Sequence, residues 1–319
     1  MKAFILAAGL GTRLHPLTNH IPKPLIPVLN IPALFYTIVQ LKQAGISEIV
    51  CNIHHHAGMV RDVMASHVFP GMHIIFSEEP VILGTGGGLK KCEKLLGDND
   101  FILVNSDIIA DIDFRALMLH HQQSGFPGTL TLFETPAAQT IGFVGVENAL
   151  VKDFRNQRHT GLVSSLIYTG TSVLSPQIFR FLKTEYSSIV DTGFTGLIDN
   201  GGLGFYQHKG LWMDIGTMQS YWQANLDTEA LLRKLSTRMS FATEMLPHAI
   251  SPDAFISPEA RVSGSVIGKD CHIGAHCSIS NSVLLPGVKV KPGSSIINAV
   301  VDPYSITIIE EPKQERGYL

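Results

Sequence analysis

The sequence predicts an α/β protein in two parts: a Rossmann-like mixed sheet with helices on both faces, then a short left-handed parallel β-helix. Three observations predict it. Short apolar runs alternate with amphipathic stretches through the first half, the mark of a mostly parallel sheet covered by helices. Glycine-rich turns follow several of those runs. Past about residue 245 the pattern changes to a regular repeat. The 319 residues are enough for two domains with real cores, and the expected boundaries are 1–240 and 246–305.

Taken in order, Ala3–Ala8 reads as a strand and Ala33–Ala44 as a helix closed by Gly45. Glu48–Ile53 is a second strand, Val60–His67 a helix and His73–Phe76 a third strand. Four glycines fall within Gly84–Gly88, which argues against a helix interior and for a helix starting near Leu89. The wholly apolar Phe101–Val104 is a buried strand. Thr129–Phe133, Gly142–Val146 and Leu166–Thr169 bring the sheet to about seven strands. A helical stretch, YWQANLDTEALLRKL, runs from Tyr221 toward Met245 and closes the first part.

The second part is a ladder. Ile250, Ile256 and Val262 stand six apart, as do Ile267, Ile273 and Ile279, and Leu284, Val290 and Ile296, and each set recurs after 17 residues. One inward apolar residue per short strand, on three faces, gives a three-sided parallel β-helix of about three coils. So short a stack needs a cap, and a homo-oligomer through the β-helix or the catalytic part is expected.

Bulk composition excludes some functions. Hydrophobic residues are 45 % and charged residues 16 %, and the formal net charge is -3 with no long basic block. That argues against a nucleic-acid coating surface while leaving room for a local phosphate site. Cys51, Cys92, Cys271 and Cys277 form no CxxC pair, and the apolar run at the start ends at Gly9, too short to cross a bilayer. Reduced thiols and a cytoplasmic location, away from membranes, are expected.

The chemistry lies in LAAGLGTRLHPLTNHIPKPL, Leu6 to Leu25. The turn lacks the third glycine of GxGxxG, since Leu14 stands there, and lacks the Lys-Ser/Thr of a Walker loop. Successive N–H groups in a glycine turn after a strand make an anion nest, and Arg13 adds a fork of donors suited to phosphate. Lys23, between Pro22 and Pro24, is expected on an extended segment that aims its ammonium. Asp107 follows the buried strand Phe101–Val104, where an α/β sheet places functional groups. Asp214 lies in GLWMDIGTMQSYW, and the two carboxylates suit one Mg²⁺. Read alone, either aspartate is also a turn or N-cap residue. The run His54-His55-His56 reads as a loop end, and Trp212, Tyr221 and Trp222 as packing residues.

LAAGxGTRLxPLT…PKPLxPV resembles the opening signature of the sugar-1-phosphate nucleotidylyltransferases, which make nucleotide-sugars from a nucleoside triphosphate and a sugar 1-phosphate. The resemblance spans about 235 residues, and repeat tails occur in several branches. It implies a Mg²⁺-dependent enzyme in which Leu6, Ala8, Gly9, Gly11, Thr12 and Arg13 hold the nucleotide and its phosphates. Lys23 is implied near the α-phosphate, and Asp107 and Asp214 on the metal. It implies that SEEPVILGTGGGLKK, with Glu79, Gly84, Thr85 and Gly86, closes over base and ribose, Glu79 being structural or holding an arginine. Ser165 and Tyr168 are implied at the sugar. Guanosine triphosphate with mannose 1-phosphate is the expected pair; glucose or an N-acetylated sugar with UTP or dTTP is the alternative.

The chain departs from that family in two places. Ser106 replaces the usual glycine before the metal aspartate. The Glu-Lys-Pro whose lysine grips the sugar phosphate is missing: Gln157 falls near its place, with Arg155 and Arg158 alongside as replacement clamps. A regulatory subunit that binds nucleotide-sugar with weak catalysis is therefore a second reading. A third is acyl transfer by the repeat part using His272 or His276, though about three coils without an inserted loop offer little room for it.

Overall fold

The computed structural model describes residues 1–66, 69–227 and 247–310. They form two compact units. The first holds 1–11, 21–25 and 33–213; the second holds 12–20, 26–32 and everything from Asp214 onward. The second unit thus takes in two N-terminal pieces and the segment from 214 that the sequence expectation kept with the catalytic part.

The first unit is built on one sheet of nine strands: β1 (Lys2–Leu6), β2 (Glu48–Ile53), β3 (His73–Glu78), β4 (Phe101–Asn105), β5 (Gly128–Glu134), β6 (Val144–Glu147), β7 (Leu150–Phe154), β8 (Leu166–Leu174) and β9 (Leu203–His208). Their order is β3-β2-β1-β4-β8-β5-β9-β7-β6. Leu150–Phe154 and Leu203–His208 are additions to the expected seven. The first is interrupted by Lys152 and Asp153, and the second sits behind the glycines at 201 and 202, so neither shows a clean apolar run.

β1 pairs in parallel with β2 and β4, β8 runs antiparallel between β4 and β5, and β9 is parallel to β5. Leu6, Ile53, Asn105, Glu134 and His208 therefore end their strands on one edge of the sheet, and β8 enters from it. Phe101, Ile102 and Leu103 are fully buried in the middle, as a strand covered on both faces requires.

Helices α1 (Ala33–Gln43) and α2 (Ala57–Ser66) follow the early strands. A third helix, α3, spans Gly84–Lys91 and contains all four glycines, so the expected non-helical glycine stretch is corrected. The fourth, α4 (Phe114–Ser124), starts at Asp113, whose Oδ1 accepts the Ala116 N–H at 3.0 Å, and stops at Gly125 in the left-handed region.

In the second unit the 17-residue ladder is literal. Ile256 pairs with Ile273 and that with Val290; Val262 with Ile279 and that with Ile296; Ile267 with Leu284 and that with Val301. Ile250 bridges to Ile267. The three small parallel sheets are the faces of a left-handed β-helix. Its corners recur with the same step. Gly264, Asn281 and Asn298 have positive φ, as do Asp270 with Gly287 and His276 with Gly293. Asn and Asp tolerate this backbone because their short side chains bond locally. After Val301 the chain turns on Asp302, whose Oδ1 accepts the Ser305 N–H at 2.9 Å, and Ile306–Ile308 returns antiparallel, ending the coil.

Helix α5 (Met218–Leu226) lies on this coil: the Trp222 indole donates to the Asn281 carbonyl at 2.8 Å. Tyr221 donates to the Pro27 carbonyl, and Asn225 Oδ1 accepts the Leu29 N–H. The tyrosine and tryptophan are packing residues here. The remainder of the expected helix toward Met245 lies outside the described residues. Among the described residues no helix is long and apolar enough to cross a membrane.

Candidate active site

At the C-terminal edge of the first unit's sheet, β1 ends at Leu6 and runs into Ala7, Ala8 and the exposed Gly9. The chain turns at Gly11, whose φ of +66° favours glycine. Beside it, the Ser106 N–H donates to the Leu6 carbonyl at 3.1 Å, so the residue after β4 is tied to the end of β1. Ser106 is buried at the place of the usual glycine, and its backbone carries this bond.

Asp107 comes next, and its carboxylate is ion-paired with Lys23. Both side chains are mostly shielded, 12 % exposed for the lysine and 20 % for the aspartate. Lys23 is not on an extended segment. Residues Lys23–Leu25 form a 3-10 turn closed by the Leu25 N–H on the Pro22 carbonyl at 2.8 Å. The prolines fix the turn, and the turn directs the ammonium. The same strand end holds Asn105, against which Gly170 of β8 packs: a Cβ there would lie 2.7 Å from Asn105 Nδ2.

Glu79 is only 1 % exposed, and its carboxylate is satisfied inside the fold. Oε1 accepts from Asn52 Nδ2 at 2.7 Å and Oε2 from the Leu83 N–H at 2.9 Å. Both oxygens thus bond within the fold, one to a side-chain amide and one to a backbone N–H. Asn52 Oδ1 in turn accepts the Ala7 N–H at 2.8 Å. His54, past the end of β2, places Nδ1 2.6 Å from the Glu79 carbonyl.

The glycines of α3 face the chain's own segment 185–192. The Gly86 N–H donates to the Ser187 carbonyl at 2.8 Å, the Ser187 N–H to Leu83, and the Ile189 N–H to Thr85 Oγ1. A Cβ on Gly87 would lie 2.0 Å from the Glu185 carbonyl oxygen, and one on Gly84 2.5 Å from that of Ser187. The glycines are small so that this segment can lie against the helix. Gly86 is buried beneath it, while Thr85 stays exposed and Gly84 half-buried.

Arg155 and Arg158 part company. Arg155 has a positive φ, donates from Nη2 to the Ile141 carbonyl at 2.9 Å, and lines a cavity of about 350 Å³ with Gln157, Tyr168, Ser188 and Asp191. Arg158 pairs with Asp199 and lines a different cavity of about 560 Å³ with Lys152 and Glu147. Of the two arginines left open as clamps, Arg155 is the one that shares a cavity with Tyr168. Burial pushes the Tyr168 phenol up, so it stays a neutral donor, here to Ser172 at 3.3 Å. Ser165 donates to Glu134 at 2.9 Å. Burial would raise the Asp153 carboxyl, but hydrogen bonds from Arg158 N–H and Thr160 outweigh it and hold it below the usual range.

Thr12, Arg13 and Asp214 belong to the second unit. Thr12 and Arg13 are exposed at the start of a 3-10 turn. Gly216 brings Asp214 and Arg13 together: a Cβ there would lie 2.7 Å from Asp214 Oδ1 and 2.9 Å from Arg13 Nη2. Among the described residues no group of three or more His, Cys, Asp or Glu gathers to hold a metal ion.

Sequence reasoning missed Asn52, Ser188 and Asp191. Asn52 had a readable signal, the one polar side chain near the end of the apolar strand EIVCNI. Ser188 and Asp191 had none: Asp191 sits in a turn of wide helix (Val190–Phe194), Ser188 just before it, and both line the Arg155 cavity.

The "Nucleotidyl transferase" family model matches residues 2–230, and the "GlmU-like, C-terminal hexapeptide" model matches residues 235–312. Over 85 % of its length the chain is 30 % identical to a mannose-1-phosphate guanyltransferase of Aspergillus fumigatus, covering 74 % of that protein. Over 94 % of its length it is 30 % identical to one from Hypocrea jecorina, covering 86 %. A solved structure described as a putative glucose-1-phosphate thymidylyltransferase from Bacillus anthracis shares the fold, with a TM-score of 0.66 at 23 % identity over 77 % of this chain and 98 % of that one. The chain belongs to the sugar-1-phosphate nucleotidylyltransferases, with a C-terminal hexapeptide-repeat β-helix. Members transfer the nucleotide moiety of a nucleoside triphosphate to a sugar 1-phosphate, and membership implies a divalent-metal-assisted reaction.

Proposed function

We propose that this protein transfers GMP from GTP to mannose 1-phosphate, forming GDP-mannose and releasing pyrophosphate. The observation that carries the chemistry is the shielded Lys23–Asp107 pair directly beyond β4, beside the turn that follows β1. The choice of mannose and GTP rests on the names of the relatives matched over most of the chain.

A phosphate oxygen of the sugar 1-phosphate attacks the α-phosphorus in line. The bond from that phosphorus to the bridging β-oxygen breaks, and pyrophosphate leaves. No covalent enzyme intermediate is needed, so the protein contributes position and charge. Arg13 takes the β- and γ-phosphate oxygens with its fork of donors. Lys23 exchanges Asp107 for the α-phosphate and neutralises charge as it moves to the leaving group. Asp107 and Asp214 would hold the metal, since their hard oxygen donors suit Mg²⁺. When bound, the ion offsets the phosphate charge in the transition state. Arg155, steadied by the Ile141 carbonyl, takes the sugar phosphate in place of the missing lysine.

The test is pyrophosphate release with GTP, ATP, CTP, UTP and dTTP against mannose, glucose, galactose and N-acetylglucosamine 1-phosphates in Mg²⁺. Turnover confined to GTP with mannose 1-phosphate is expected. Turnover with glucose 1-phosphate and UTP or dTTP instead would overturn the substrate pair. The missing lysine, with Gln157 near its place, favours a second reading, a nucleotide-sugar-binding regulatory subunit. Tight GDP-mannose binding with no turnover in any combination is the result that reading requires.

A further inference from the structure

We propose that Asn52 and Glu79 are positioning residues for the nucleoside triphosphate: a buried two-residue bridge that sets the spacing between the turn after β1 and the first turn of α3. The inference rests on the nucleotide reading given under Proposed function. Three hydrogen bonds run in series across the bridge: from the Ala7 N–H to Asn52 Oδ1 at 2.8 Å, from Asn52 Nδ2 to Glu79 Oε1 at 2.7 Å, and from the Leu83 N–H to Glu79 Oε2 at 2.9 Å. Ala7 stands two residues before Gly9, and Leu83 immediately before Gly84 and Thr85.

Both side chains are 1 % exposed. Burying an amide and a carboxylate costs heavily unless each is bonded, so a partly broken bridge is disfavoured and the intact one is stiff. Its base is fixed too, since the Glu79 N–H donates to the Ile53 carbonyl at 2.8 Å. Its far side is pressed by α3: a Cβ on Gly88 would lie 2.5 Å from Glu79 Oε1 and 2.8 Å from Asn52 Nδ2. Gly88 is thus the glycine that lets the helix sit down on the bridge. The turn and the helix start belong to separate stretches of chain, and this bridge joins them through their backbone N–H groups.

The middle bond can be reversed without changing shape, and that gives the test. In N52D/E79Q the new aspartate still accepts from Ala7 and now also accepts from the new glutamine's amide, whose oxygen still accepts from Leu83. All three bonds survive, with donor and acceptor exchanged in the middle one alone. N52D alone sets two buried carboxylates face to face. E79Q alone leaves one N–H facing another.

GTP affinity in Mg²⁺ by calorimetry, KM for GTP and for mannose 1-phosphate, and melting temperature would be measured for the wild type, both single variants and the swap. Each single variant is expected to weaken GTP binding more than about tenfold, with KM for mannose 1-phosphate changed less than about twofold. The swap is expected to return GTP affinity to within about threefold of the wild type. A swap that melts like the wild type yet binds GTP as poorly as E79Q overturns the bridge, as do single variants that bind GTP normally. If N52D does not fold, E79Q and the swap decide the matter alone. A wild type that binds none of the five nucleotides overturns the nucleotide reading itself, a separate result from normal wild-type binding with indifferent variants.

Discussion

Asp107 is the residue on which the proposed chemistry turns, and its surroundings make a clean substitution possible. Its carboxylate faces the Lys23 ammonium in a partly shielded setting, where an amide of the same shape still accepts a hydrogen bond but carries no charge. Asp107→Asn is therefore expected to keep the fold, melting within a few degrees of the wild type, while lowering kcat at least about 100-fold. Near-normal turnover in that variant would remove Asp107 from the reacting centre. At this scale the sequence showed the charged groups well. Arg13, Lys23 and Asp107 stand out because glycine, proline or a wholly apolar strand adjoins each of them. Partnership was hidden. Nothing in the order of residues shows that Lys23 meets Asp107 across 84 positions, or that Arg158 is drawn off by Asp199 while Arg155 stays with Tyr168. Those choices are made by where turns place side chains, and one of them needs a positive φ at Arg155 that no residue preference announces.

Helix α3 is the element whose composition misleads most. Each glycine inside a helix costs about 1 kcal/mol relative to alanine, so four in five residues argue against a helix until the neighbour is known. The neighbour is segment 185–192, which lies so close that the positions of Gly84, Gly86 and Gly87 have no room for a methyl group. Tertiary approach overrides propensity here. The contrast with α2 makes this testable, because Gly58 in that helix has nothing within 4 Å of the point where a methyl would stand, and an ordinary helical backbone. Gly58→Ala is expected to stabilise the protein by about 0.5–1 kcal/mol. Gly87→Ala, though it also favours helix locally, is expected to destabilise it by about 1–3 kcal/mol, since backbone must move to admit the new carbon. Chemical denaturation of the two variants checks the pair, and equal effects would show that close packing is not why α3 is glycine-rich. The strands were easier to read than this helix. β4 needs only four apolar residues in a row, and the early strands each come with their own helix.

Across the whole chain, the part most legible in advance was the β-helix, where a 17-residue step in the sequence became strand register residue by residue. A period is visible in one sequence because each coil repeats the same local requirement, an inward apolar residue and a corner that tolerates positive φ. The nine-strand order of the first unit is not periodic, and its antiparallel insertion at β8 depends on contacts far apart in the chain. That sheet also buries groups whose protonation couples to folding. His121 on α4 is 3 % exposed, with Nδ1 2.8 Å from Thr129 Oγ1 and Nε2 3.5 Å from Asp100. Burial pulls its pKa below the ordinary histidine range; Asp100 pulls upward and His120 adds to the lowering, and burial prevails. The native protein then binds this proton less readily than the unfolded chain does, so stability rises with pH across the window between the two values. The loss begins as pH falls below about 6.5, the unfolded value, and grows until the lowered native value is reached. Asp153, also held below its usual range, adds a further loss only below about pH 4, where the unfolded carboxylate takes up its proton first. The wild type is thus expected to melt at a lower temperature at pH 5.5 than at pH 7.5. His121→Asn, which keeps a hydrogen-bonding group beside Thr129 without a titrating ring, is expected to flatten that difference while losing some stability at both pH values. Melting curves of the two proteins across pH 5 to 8 decide it, and parallel slopes would place the proton linkage elsewhere in the molecule.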